Sequence, residues 1–427
     1  MKYIVCIDLF FTILILVKFT PKNQIILIVL FLMTYYIDIV GLSHLFGIID
    51  YEQMAAVNQL RSKGMDIPAD FCRYQLILVV FKNVLMFFLL LKDDQRQKIN
   101  WESIDSEGHN ISTATLGVAV LGCVGLLLLT HRGFFGIGFR FLGVIFIIHM
   151  LLCKRLRENI TLLILALIAI IYISFMVTRS RTVVAIIMLY LFAYFVQKYG
   201  TFSFPSLALL VFTLVTIALY AEYRNVDTRP SGSELIERIT SRGVETRGEA
   251  GIVFVIGSHV AGLADYDLSG TFLADTIFSK IWRAIPLAPG KSDMLAVQYV
   301  EEYWPSVYDK GGGFAFSGIA ESFLYGSWKG DAYAGRVGSI LGGWACVILY
   351  AYLLSCALKW LILRAGNIYW RVLTLFVLVH IVRSEVSLIM QLMLYGACWI
   401  WLLKSLEFLK RKRMDMVNRI TIDNIAR

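Results

Sequence analysis

About eleven apolar runs, judged against the roughly 20 residues a helix needs to cross hydrocarbon, constrain this chain more than any other feature. They lie near 3–17, 23–49, 74–91, 114–130, 139–153, 159–178, 182–198, 202–222, 336–358, 368–383 and 386–404. Apolar residues make up 58% of the chain and charged residues 17%, whereas soluble domains are about 45–50% apolar. The expected fold is an all-α polytopic membrane protein. The first run carries Asp8 and leads into Lys18 and Pro21, not into a small-residue cleavage site. It is therefore read as a first span and not as a cleavable signal peptide.

The interval Tyr223–Arg336 is the one long stretch in the second half without such a run. This divides the chain into an N-terminal bundle of about eight spans (1–222), a large and partly helical loop (223–335), about three further spans (336–404) and a basic tail (405–427). Cytoplasmic loops carry the excess of Lys and Arg. Placing Lys410–Arg413 inside also puts Lys18 and Lys22, Lys154, Arg155 and Arg157, Lys198, and Lys359 and Arg364 inside. The N-terminus and the long loop then face outward, which in a bacterium is the periplasm. The net charge of +9 comes from short clusters beside apolar runs, which set topology and meet anionic lipid head groups, so no nucleic-acid partner is expected. Seven cysteines without a CxxC pair read as packing residues. No internal repeat is visible, which weakens an inverted-repeat transporter.

Within the loop, GIVFVIGSHVAGLA (Gly251–Ala264) and the amphipathic TFLADTIFSKIWRAI (Thr271–Ile285) are too short to span. They suit helices at the interface, or a cap folded over the membrane domain.

Arginine is expensive near hydrocarbon, so Arg179 and Arg181 in the TRSR junction suggest an anion site; snorkelling to lipid phosphate accounts for either one equally well. Arg224 follows the eighth run, Arg283 lies in the amphipathic stretch, and Arg383 lies between the last two runs, where a local pair with Glu385 is the rival account. Guanidinium groups grip phosphate oxygens in a bidentate fork and stay charged at any working pH. A glycine-dense block, GGGFAFSGIAESFLYGSWKG (Gly311–Gly330), leads to Gly335, Gly338, Gly342 and Gly343. Its spacing fits no phosphate-binding glycine loop, and close helix packing is the simpler account of Gly335–Gly343. Glu321, beside the apolar FSGIA, is a candidate base. So is His259, the one histidine of the loop, although a packed structural role suits a lone histidine at least as well. No HExxH or His/Cys cluster calls for a metal, and Asp265, Asp267 and Asp293 form only a loose hard-cation pattern. No cofactor is expected.

The run of ten or more spans, the large late loop, Ser180–Arg181–Thr182 and the GxxFSGIAESFLYGSWKG block from Gly313 resemble the bacterial O-antigen and capsule repeat-unit polymerases, the Wzy family. That resemblance implies a GT-C-like fold and a glycosyltransferase of the inner membrane that joins oligosaccharide units carried on undecaprenyl diphosphate. Membrane lipids and a polysaccharide chain-length regulator are the further partners it implies. Glu321, or less firmly His259, would be the base, and Arg179, Arg181, Arg224, Arg283 and Arg383 would meet the diphosphates. An O-antigen ligase shares the build and the donor. A lipid-linked oligosaccharide flippase or transporter would need charges within the membrane, for which Asp8, Asp38 and Lys82 are the clear candidates.

Overall fold

The computed structural model describes residues 2–19, 24–45, 57, 60, 61, 67–91, 101, 133–151, 181–200, 203–209, 211, 212, 249–263, 277–285, 288, 289, 294–309 and 316–425. Among the described residues there is helix and no strand. In chain order the helices are α1 (Lys2–Phe19), α2 (Gln24–Met33), α3 (Ile67–Leu90), α4 (Gly133–Leu151), α5 (Arg181–Tyr199), α6 (Glu249–Gly262), α7 (Ile277–Ala284), α8 (Leu295–Tyr303), α9 (Gly318–Arg364), α10 (Ile368–His380) and α11 (Val386–Ile425). Helix α2 continues through a π-helical turn, Thr34–Ile39, into Val40–Leu45. Five stretches are long and apolar enough to cross a membrane: Gln24–Leu42, Ala69–Leu90, Thr182–Tyr199, Ala334–Arg364 and Val386–Ser405. Val5–Ile15, Gly136–Ile145, Gly251–Gly262 and Ile368–His380 are shorter apolar helices. The expected spans 114–130 and 159–178 lie outside the described residues, as does most of 202–222.

Helix α9 is a hairpin and not one rod. Ala334 (φ −143°, ψ 21°) and Gly335 (φ 61°, ψ −153°) leave helical geometry, and only glycine takes a positive φ without strain. The two arms, 318–333 and 336–364, then run antiparallel. Cross-arm neighbours are symmetric about the turn: Gly326 against Gly342 and Cys346, Phe323 against Trp344, and Gly318 against Tyr350. A Cβ on Gly326 would overlap the Gly342 carbonyl oxygen, and one on Gly343 would overlap the Ser327 hydroxyl. The glycine block is therefore the seam of the hairpin, where bare backbone allows contact that side chains would prevent.

The seam also sets depth. Gly318 and Tyr350 meet about 22 Å from the turn, at 1.5 Å of rise per residue. From Tyr350 to Arg364 is about 21 Å, close to the roughly 20 Å length of the 13-residue α10. The connection 381–385 between α10 and α11 accordingly lies level with Gly318, and Gly318 N donates to Ser384 O at 2.9 Å. The second arm exposes Val337, Ile340, Leu341, Ile348, Leu349, Leu353 and Leu363 along its length, an apolar surface suited to lipid. Helix α10 is instead sheathed on nearly every side. Helix α6 packs against the first half of α3, with the Tyr74 ring on bare backbone at Gly257 and the Asp70 carboxyl 2.5 Å from where a Gly262 Cβ would sit.

Gly326→Ala should cost about 1–3 kcal/mol, the usual range for overpacking, because backbone must yield. Gly366→Ala, with nothing within 4 Å of its Cβ position, should be near neutral. Thermal unfolding of the purified protein in detergent compares them.

Candidate functional site

Three chain segments meet where the first arm of α9 begins. Ser317 caps the helix, its Oγ accepting from Ala320 N at 3.4 Å and from the Tyr74 hydroxyl at 2.7 Å. One turn on, Glu321 is buried, and its Oε2 accepts from Val386 N at 2.9 Å. That N–H belongs to the first turn of α11, one of the donors a helix leaves without an internal partner. Glu321 Oε1 takes a short hydrogen bond and ion pair from Lys280 of α7. The Lys280 ammonium also lies 5.2 Å from the centre of the Tyr325 ring, close enough for a cation–π attraction.

Helix α7 is amphipathic the opposite way round from a surface helix in water. Lys280, Arg283 and Ala284, spaced i, i+3, i+4 on one face, are buried, whereas Ile281, Trp282 and Ile285 are 44%, 47% and 39% exposed. The apolar face looks outward and the basic face inward. Gln391 of α11 fixes this orientation, its Nε2 donating to Arg283 O at 3.1 Å.

The inward cations meet a second carboxylate, Glu385. Its Oε2 accepts from Ala296 N in the first turn of α8 at 2.9 Å, and its Oε1 takes a short hydrogen bond from the Ser387 hydroxyl. Burial and, after it, the negative charge of Glu321 push the Glu385 carboxyl above the ordinary carboxylate range; the Ser387 hydroxyl, the Ala296 N–H and the Arg283 guanidinium oppose the rise without cancelling it. Two acids and two bases therefore face one another in a buried space, each acid also seated at the N-terminus of a helix, where the dipole favours negative charge.

Of the residues expected from sequence, the structure brings Glu321 and Arg283 into this cluster. Arg383 sits on its edge, two residues before Glu385, and donates from Nη2 to Thr182 Oγ1 at 2.6 Å. That bond joins the 381–385 connection to the start of α5, where Arg181 is the first helical residue. His259 lies one layer away. It is buried, its Nδ1 is 2.8 Å from Tyr299 Oη, and the Tyr303 ring stands edge-on at 4.7 Å. Burial raises the Tyr299 hydroxyl, so it keeps its proton. Tyr299 in turn packs on Phe316 next to the Ser317 cap. Arg179, Arg224 and the Arg181 side chain lie outside the described residues.

Lys280 and Glu385 were not singled out as site residues by sequence. The signal for Lys280 was the amphipathic segment, read as an interfacial helix or a cap without a choice of face; for Glu385 it was adjacency to Arg383, read as a local pair. Among the described residues no three His, Cys, Asp or Glu side chains assemble as a metal site. No family model, no curated protein and no solved structure matches this chain.

Breaking one side of a buried ion pair leaves a charge without compensation. Lys280→Met should therefore destabilise by about 3–5 kcal/mol, and Lys280→Met with Glu321→Gln should recover most of that in a double-mutant cycle of melting midpoints. Because the native Glu385 carboxyl holds its proton to higher pH than the unfolded one, its contribution to stability is complete below the ordinary glutamate value. It is lost as pH rises through the raised native value. The pH dependence of unfolding should show that decline in the wild type and lose it in Glu385→Gln.

Proposed function

We propose that this chain polymerises undecaprenyl-diphosphate-linked oligosaccharide repeat units at the periplasmic face of a bacterial inner membrane, transferring the growing chain to the incoming lipid-linked unit. In this reading the membrane domain has about eleven spans in a GT-C-like arrangement, and 223–335 faces the periplasm. The observation that carries it is α7, which turns Ile281 and Trp282 outward and Lys280 and Arg283 inward onto Glu321 and Glu385. A substrate whose diphosphate is tethered to a polyprenyl tail needs cations and a base within reach of the lipid, and a helix with a lipid-compatible outer face and a basic inner face supplies such an approach. The recess of the cluster, about 20 Å along the hairpin from its turn, supports the same reading.

The chemistry balances with these groups. An acceptor hydroxyl oxygen bonds to the anomeric carbon of the donor chain as the bond from that carbon to the diphosphate oxygen breaks, and undecaprenyl diphosphate departs with the electron pair. The hydroxyl proton passes to the Glu321–Glu385 pair, with Glu385 the better placed to hold it because its carboxyl is raised. Lys280 and Arg283 neutralise the departing diphosphate, with Arg179, Arg181, Arg224 and Arg383 around them. His259, seated on Tyr299, acts through α8, the helix that Glu385 caps. A transporter of the same substrate is the second reading, favoured by the meeting of Asp8, Asp38 and Lys82 within the bundle.

A deletion strain complemented with wild type, Glu321→Gln, Glu385→Gln or Arg283→Ala tests this on a gel of surface polysaccharide. At normal protein level, Glu321→Gln and Glu385→Gln should each collapse the ladder to single-unit material, a loss of about 100-fold or more in elongation. An undiminished ladder for Glu321→Gln would remove Glu321 from the mechanism. Loss of labelled lipid-linked substrate transport, with chain growth intact on substrate supplied from outside, would establish the transporter.

A further inference from the structure

Asp8, Asp38 and Lys82 converge from three helices into one buried cluster. Lys82 belongs to the middle of α3, Asp8 to α1, and Asp38 to the π-helical turn that extends α2, and each is no more than 2% exposed. An ammonium has three N–H donors. Those of Lys82 go to Thr12 Oγ1 at 2.8 Å, Asp38 Oδ1 at 2.8 Å and Asp38 Oδ2 at 2.7 Å. Asp8 Oδ2 lies 2.5 Å from the same nitrogen, yet it takes no hydrogen bond from that nitrogen or from any other described group. Asp8 Oδ1 is served by Asn83 Nδ2 at 2.6 Å. The Asp8 and Asp38 carboxyls thus converge on one nitrogen, at 2.5 and 2.7 Å. One proton on the pair would supply the donor that Asp8 Oδ2 lacks.

Charge gives the same answer. Two carboxylates share one ammonium, and among the described residues no second cation bonds to them. A net charge within the apolar core of a bundle is the state that membrane helices exclude. We propose that Asp8, Asp38 and Lys82 form an intramembrane proton-binding site whose two carboxyls together hold one proton at neutral pH.

The surroundings are built to hold that geometry. A π-helical turn shifts one residue out of the α-helical register and leaves a carbonyl to be satisfied from outside, a feature frequent at functional sites. Here Ile37 O, next to Asp38, accepts from Val40 N and takes a second bond from Gln75 Nε2 at 3.3 Å. Asn83 is anchored by the Val79 carbonyl at 2.9 Å, and Thr12 Oγ1 donates to Asp8 O at 2.9 Å, which turns its lone pairs to Lys82. Among the described titratable groups on the helices packed around the cluster, Asp70 pairs with Arg73, Tyr74 with Ser317 and His259 with Tyr299, while Cys6 and Cys72 are exposed. The site shares no residue with the Glu321 cluster and holds under either reading of the function.

Infrared spectroscopy of the full-length protein in lipid nanodiscs, with heavy carbon in the aspartate carboxyls to separate them from Glu385, reads the proton directly. The wild type should show a protonated aspartate band at neutral pH that disappears as pH is raised. Asp8→Asn or Asp38→Asn should abolish the band, because a single carboxylate then balances Lys82. The labelled wild type decides the matter even where a variant fails to fold. A wild type with no protonated aspartate at neutral pH, one whose aspartate spectrum answers to sodium and not to pH, or a band that survives both substitutions would overturn the assignment.

Discussion

The bond from Val386 N to Glu321 Oε2 joins the first turn of α9 to the first turn of α11, and the arrangement of the C-terminal half depends on it. With Gly318 N on Ser384 O, it lets two helices that start at the same level supply each other's missing partners. Helix N-termini buried in a low-dielectric bundle must find acceptors, because an unsatisfied N–H costs a full desolvation penalty. A carboxylate answers that need more strongly than a neutral oxygen. The cost is a buried negative charge, and Lys280 offsets it from α7. The cap, the ion pair and the position of α7 are thus one linked solution, and none of the three can be altered alone.

The same linkage shapes what the cluster can do. Glu321 is held by a backbone N–H and an ammonium, which fixes its carboxylate in place. Glu385 has backbone and hydroxyl donors and no short ion pair, and it lies under the field of Glu321, which raises its affinity for a proton. Pairs of acids whose surroundings push their proton affinities apart are how active sites divide the roles of acid and base. The inverted polarity of α7 sets an apolar face outward and a basic face against these acids.

Much of the fold was legible before any coordinates. Apolar run length marked the helices, because a membrane span must bury about 20 residues of backbone inside its own hydrogen bonds, and that demand is written locally. The hairpin of α9 was legible only in part. Gly342 and Gly343 indicated close packing, but that the packing folds one segment back on itself against Gly326 depends on the φ of +61° at Gly335, which sequence does not mark among so many glycines. The site was harder still, since Glu321 finds Lys280 and Val386 at separations of 41 and 65 residues. Arg283 was expected to meet a ligand and faces Glu385, a residue read beforehand as a partner for Arg383. In each case the residue types were visible and the pairing was not, because pairing across a bundle is decided by which faces are buried.

The two charged clusters differ in one respect that decides their chemistry. Around Glu321 and Glu385 two acids meet two cations, Lys280 and Arg283, so full ionisation leaves no net charge. Around Lys82 two acids meet one cation whose three N–H groups are already committed, so full ionisation leaves both a net charge and an acceptor without a donor. Those two deficits have a common remedy in a single proton. Each of the three residues stood alone in the sequence as a charge out of place in an apolar run, and what gives them a shared role is the count of donors at one nitrogen.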